Sequence, residues 1–129
     1  MFPAALASVV IASCYDRDTC TTTTGELVRL ACIDTPELRG KRAEPLTAQA
    51  AREHLRALVV GKKVGIRRIT KDRFGRTVAE LFLGITNVQQ EMVASSHAEI
   101  YWRYAYQCPW TEGQLSTPED YSADETAHK

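Results

Sequence analysis

No apolar run in this sequence reaches the roughly 18 residues that a bilayer-crossing helix requires, and nothing repeats at the periods of roughly 20–50 residues that mark solenoids and propellers. Net charge is missing as well. The 16 Lys and Arg balance the 16 Asp and Glu, so bulk charge names no class of partner. No Cys-x-x-Cys occurs, and the four cysteines and three histidines (His54, His97, His128) are scattered, which argues against a structural zinc site. No Lys or Arg precedes the apolar stretch Met1 to Cys14, whereas a secretory leader carries positive charge there. That stretch is therefore expected to be a first β-strand, although Ile11-Ala12-Ser13-Cys14 looks superficially like a lipoprotein cleavage box; a precursor already processed upstream is the alternative.

What is present suits one soluble-type domain. In 129 residues, 44% are hydrophobic and 25% charged, enough for a single modest core. The charge is unevenly spread. Between Arg29 and Arg76 stand 13 basic residues and five acids, while the end of the chain after Trp110 is acidic. A basic centre beside an acidic terminus fits a polyanion-binding core with a solvated tail; a charged surface with no partner fits equally well. The expected organisation is a domain over residues 1–110 and an acidic, poorly ordered tail over 111–129.

Periodicity gives the elements. Strands are expected at Ala7 to Tyr15, Thr19 to Thr24 and Leu27 to Ile33, the second built from four consecutive threonines acting as β-branched filler. Leu38 to Pro45 is polar, basic and glycine-containing, and is expected to be a mobile loop. Ala51, Leu55, Leu58 and Val59 form a helical stripe within Leu46 to Val60, with Gly61 placed as the stop. Val64 and Ile66 mark a fourth strand, Lys71 to Gly75 a turn, and Thr77 to Leu83 a fifth strand. Asn87 is a helix N-cap before Val88 to Ser95. Three strands, a helix, two strands and a helix read as α+β with a small barrel. A turn at Tyr15 to Thr19 would set Cys14 opposite Cys20, close enough for a disulfide; buried thiols are the equal alternative.

Acids gather near turns: Asp18 after the first hairpin turn, then Asp34 and Glu37 in Asp34-Thr35-Pro36-Glu37. Hard cations take oxygen ligands, mixing carboxylates and carbonyls, and Pro36 ends the strand and leaves a carbonyl unpaired. An Asp-Thr-Pro-Glu is also an ordinary turn. Arg29 interrupts an apolar strand and Arg76 follows a glycine turn; guanidinium forks match phosphate. Strict alternation sets Arg29 and Asp34 on opposite faces, so a bulge or strand exit must precede Asp34 if they are to meet.

Taken together, Asp16-Arg17-Asp18-Thr19, Val28-Arg29-Leu30, Ile33-Asp34-Thr35-Pro36-Glu37, Asp72-Arg73-Phe74-Gly75-Arg76 and Asn87-Val88-Gln89-Gln90-Glu91-Met92-Val93 resemble the staphylococcal nuclease (thermonuclease-like) family, over roughly Ser8 to Pro109. The resemblance implies an α+β fold, a five-stranded OB-fold β-barrel with two or three flanking α-helices. It also implies a Ca²⁺-dependent nuclease that hydrolyses DNA and RNA, single strands preferred, and leaves 3′-phosphates. Asp18, Asp34 and the Thr35 carbonyl would be calcium ligands, Glu37 the group that positions or deprotonates water, and Arg29 and Arg76 the phosphate grip. Arg39, Lys41, Arg42, Lys71, Arg73, Phe74, Trp102 and Tyr104 would hold nucleic acid, the aromatics by stacking. A monomer is expected, and the resemblance favours a secreted or periplasmic location.

The sequence departs from the family pattern in three places. Arg17 stands where the family has glycine, at a possible cost of about 1–2 kcal/mol if that position needs positive φ. Ser96 replaces a helix-stop glycine, and the usual final helix is not apparent after Pro109. Two rival readings remain: a non-catalytic OB-fold module that binds nucleic acid, and a protein-interaction barrel whose positive belt is incidental.

Overall fold

The computed structural model describes residues 6–35 and 45–114. Strands β1 (Ala7–Ser13), β2 (Thr19–Thr22) and β3 (Leu27–Leu30) form an antiparallel meander. Strand β4 (Ile33–Asp34) follows a turn, and helix α1 (Pro45–Val59) leads to β5 (Lys63–Lys71) and β6 (Thr77–Leu83). Then come β7 (Thr86–Asn87), α2 (Val88–Ala94), β8 (Glu99–Ile100) and two 3₁₀ segments, Trp102–Gln107 and Pro109–Thr111. β1 pairs with β5, β5 with β6, and a parallel pairing of β3 with β6 closes a five-stranded mixed barrel. The OB-type α+β expectation holds. No described helix is long and apolar enough to cross a membrane.

The apolar pattern explains the packing. Ile11, Val28, Leu30, Val64, Ile66 and Leu81 point inward from the strands, and Ala51, Leu55 and Val59 from α1 cap them, the stripe spacing that one buried helix face needs. Gly61, at φ 79°, turns the chain out of α1. Asn87 caps α2, its side chain accepting the Gln90 amide at 3.0 Å. Gln89, fully buried, bonds the Leu81 amide and carbonyl at 3.0 and 3.3 Å, so the helix extends the strand's ladder.

One ion pair braces the closing seam and a second ties β5 to β6. Arg68 forks onto both Glu26 oxygens at 2.8 Å, and Thr77 donates to the same carboxylate at 2.9 Å. The Arg68 hydrogen bond, opposed by burial and helped by Thr77, holds the Glu26 carboxyl at about 2. Buried Glu80 accepts Arg67 at 2.8 Å and Asn87 at 2.9 Å, while Arg67 also reaches the Gln107 carbonyl at 2.7 Å.

The third strand differs from its expected extent. It ends at Leu30, because Ala31 and Cys32 form a turn with Cys32 at φ 67°. All four cysteines are paired, Cys14 with Cys20 and Cys32 with Cys108. The first bridge resolves the choice between disulfide and thiols; the second, across 76 residues, was not foreseen. Arg17 is not among the residues with positive φ, whereas Ser96 is, at 64°, so the strain lies at the second site only. The 3₁₀ segments extend the fold past Pro109, with Thr111 buried and bonded to the Ala105 and Cys108 carbonyls. The expected loop from Leu38 and the tail from 115 onward fall outside the described residues, apart from Pro45, which opens α1.

Candidate active site

The loop between β1 and β2 meets the turn after β3 at one end of the barrel. Asp18 is only 6% exposed, so its charge needs partners. Its carbonyl accepts the Leu30 amide at 2.8 Å, one carboxylate oxygen accepts the Thr19 hydroxyl at 2.9 Å, and the other accepts the Thr35 hydroxyl at 3.1 Å. Arg29 Nη2 lies 3.7 Å from that second oxygen. The Arg29 fork also donates to the Leu30 carbonyl and, at 3.0 Å, to the Ile33 carbonyl. It thus spans the Ala31–Cys32 turn, which is the strand exit that the alternation demanded.

Arg76 reaches the same cluster from the other side of the seam. Its Nε donates to Asp72 at 2.7 Å and its Nη1 to the Thr19 hydroxyl at 3.3 Å. Thr19 therefore accepts from Arg76 and donates to Asp18, so Arg76, Thr19, Asp18, Thr35 and Arg29 form one connected network. Burial pushes the Asp72 carboxyl up, but bonds from the Arg76 amide and guanidinium and the Phe74 amide outweigh it and hold the group below its usual range. Asp34 is exposed, accepts the Thr35 amide at 3.1 Å and stands opposite Glu99 in the β4–β8 ribbon.

Beside the network lies a cavity of about 710 Å³. Lys71, Arg73 and Phe74 form one wall, Tyr101, Arg103, Tyr104 and Gln107 the other, with Arg29 and Arg76 also lining it. Five cations face one carboxylate, Asp72, so the cavity attracts anions. Phe74 is 67% exposed, with the Arg73 and Arg76 guanidinium carbons 4.9 and 5.6 Å from its ring centre. Arg103 lies over Tyr104 at 5.5 Å.

Of the residues singled out from the sequence, Asp18, Arg29, Thr35 and Arg76 converge directly, Asp34 adjoins them, and Lys71, Arg73, Phe74 and Tyr104 line the cavity. Trp102 sits on the same 3₁₀ segment but is not among the lining residues. Glu37, Arg39, Lys41 and Arg42 lie outside the described residues. Thr19, Tyr101, Arg103 and Gln107 were missed; the last three belong to or adjoin a 3₁₀ segment, whose three-residue turn gives neither strand nor α-helix periodicity.

The donor set fits a hard cation. Among the described residues no group of three or more His, Cys, Asp or Glu could hold a metal, but calcium also accepts carbonyl oxygen and water. Asp18 spends two acceptor directions on hydroxyls, whereas a carboxylate offers about four. The Thr35 carbonyl, on the residue whose hydroxyl meets Asp18, and the preceding Asp34 add further oxygens.

A sequence profile described as "Staphylococcal nuclease homologue" matches residues 27–125. A curated relative from Komagataella phaffii, described as "Probable endonuclease LCL3", is 32% identical over 80 residues, covering 57% of this chain and 35% of that protein. The chain thus matches about a third of the relative's length. With the profile spanning most of the sequence and the closed mixed barrel bringing Asp18, Arg29 and Arg76 into one network, the chain belongs to the staphylococcal nuclease homologue family.

Proposed function

We propose that this protein is a calcium-dependent nuclease that hydrolyses phosphodiester bonds in DNA and RNA, preferring single strands, by attack of water on phosphorus with release of 3′-phosphate ends. Family membership and a relative described as an endonuclease support nuclease activity in general. The observation that carries the finer reading is the connected network from Arg76 through Thr19 and Asp18 to Thr35 and Arg29. Two guanidinium groups and an oxygen-rich ion site then share one small region.

Asp18, Asp34 and the Thr35 carbonyl would hold the calcium ion, which when bound supplies positive charge beside the phosphate. Arg29 and Arg76 donate paired N–H bonds to the phosphoryl oxygens, and their charge favours the more anionic transition state over the ground state. Glu37, two residues beyond Thr35, accepts the proton of the attacking water. The aromatic and basic walls of the cavity take bases by stacking and phosphates by charge, without sequence readout. Arg39, Lys41 and Arg42 extend that grip, and the disulfides suit an oxidising compartment, secreted or periplasmic.

The test is digestion of single-stranded DNA and RNA with calcium, with chelator, and after calcium is restored, followed by end-group analysis. Cleavage that is lost and regained, with 3′-phosphate products, is expected. Glu37→Gln should lower turnover by about 10²–10⁴-fold while single-strand affinity stays. Binding without cleavage under all conditions would instead assign a non-catalytic module.

A further inference from the structure

The mechanism above makes no use of the disulfides, yet each lies two residues from one acidic ligand. Cys20 follows Asp18 at that spacing and Cys32 precedes Asp34 at that spacing. Cys14 and Cys20 close the loop that carries Asp18, with their Cα atoms 3.9 Å apart. That loop departs from a strand pair whose register slips between Ile11 and Ser13, leaving the single Ser13–Thr21 pair between the slip and the bridge. Arg56 ties the same corner to α1 by donating to the Cys14 carbonyl at 2.8 Å.

Asp34 is held differently. Its ribbon with β8 has only two residue pairs, and one of them sets Asp34 opposite Glu99. Two-residue ribbons are weak, and like charges directly opposed weaken them further. Beside the Arg29 bond to the Ile33 carbonyl and the Thr35 bond to Asp18, this end is anchored by the Cys32–Cys108 bridge and by the Tyr101 amide donating to the Cys32 carbonyl at 2.8 Å. The same bridge tethers the segment bearing Arg103 and Tyr104 to the cavity.

We infer that the two disulfides are positioning elements for the ion ligands, Cys14–Cys20 for Asp18 and Cys32–Cys108 for Asp34, so that calcium affinity depends on them beyond their effect on stability. The inference rests on the calcium reading above. Without a bridge, binding must itself order at least one ligand-bearing residue, and fixing one backbone residue corresponds to roughly a ten-fold loss of affinity.

Cys14→Ala/Cys20→Ala and Cys32→Ala/Cys108→Ala, each retaining the other bridge, are compared with the unaltered protein by calcium titration calorimetry well below each melting temperature. About ten-fold weaker binding is expected in each. Nuclease activity lost at limiting calcium should return at saturating calcium in the first variant. In the second, a raised KM for single-stranded DNA should persist, because the cavity wall is also freed. Sucrose, which favours the compact state, keeps the second variant folded, and circular dichroism verifies it. Unaltered calcium affinity in both folded variants, with only lower melting temperatures, overturns the inference and leaves the calcium reading intact. Absence of calcium binding by the unaltered protein, matched by Asp18→Asn, overturns both.

Discussion

Replacing Ser96 with glycine should make the protein more stable. Helix α2 ends in a Schellman turn: His97 N–H reaches the Met92 carbonyl at 2.8 Å and Ser96 N–H the Val93 carbonyl at 3.0 Å. That turn needs a left-handed residue after the cap, and Ser96 supplies it at φ 64°. A non-glycine residue there costs about 1–2 kcal/mol, while glycine gives back about 0.4–1 kcal/mol through the freer unfolded chain. Ser96 is exposed, so no packing is lost, and the net gain is about 0.5–1 kcal/mol. For a chain of this size that is a rise in melting temperature of roughly 2–5 °C. Urea denaturation with disulfides intact, checked by a thermal scan, measures it. Ser95→Gly is the control with the opposite sign. Its hydroxyl lies 3.2 Å from His54 Nε2 and 2.9 Å from His97 Nδ1, and its φ is an ordinary −87°. A Ser96→Gly protein no more stable than the original would refute the assignment of strain to this turn.

Glu26→Gln should flatten the acid limb of stability. The folded carboxyl sits at about 2, so its contribution is complete above the ordinary value of 4.5 and drains away as pH falls toward 2; denaturation midpoints at pH 7, 4 and 2.5 should converge for the two proteins. His97 is held below its usual 6.5 by burial and by His54, against the pull of Glu91. The folded state therefore favours the neutral ring, stability falls as pH drops below 6.5, and His97→Gln should remove that slope between pH 7.5 and 5.5. Phe74→Ala should weaken single-stranded oligonucleotide binding by about 1–3 kcal/mol, roughly 5- to 150-fold, in fluorescence anisotropy at fixed salt; an unchanged affinity would remove the ring from the binding surface.

Much of the barrel was legible because its strands alternate and its helices end on residues with a mechanical reason to be there. Val9 and Ile11, the Ala51–Leu55–Val59 stripe, the Asn87 cap and Gly61 all appear where expected. The early end of β3 was not legible: its turn puts a cysteine, rather than glycine or asparagine, in the left-handed region. Nor does local sequence encode a bridge between residues 76 apart. For the site, acids at strand ends and arginines in apolar or turn settings marked Asp18, Arg29, Asp34 and Arg76. Thr19 gave no such signal, since it looked like one more β-branched filler, and only the folded chain shows it joining Arg76 to Asp18.

The barrel is shut by one parallel seam, Val28 to Leu30 against Thr77 to Ala79, and the two arginines come from opposite sides of it. Parallel ladders are slightly weaker per residue than antiparallel ones, and this contact joins the two ends of the run β3-β2-β1-β5-β6. With that line open, Arg76 would lose the Thr19 and Asp18 contacts that join it to Arg29. On the proposed reading, the phosphate grip is then a property of the closed ring and of neither half of the chain alone.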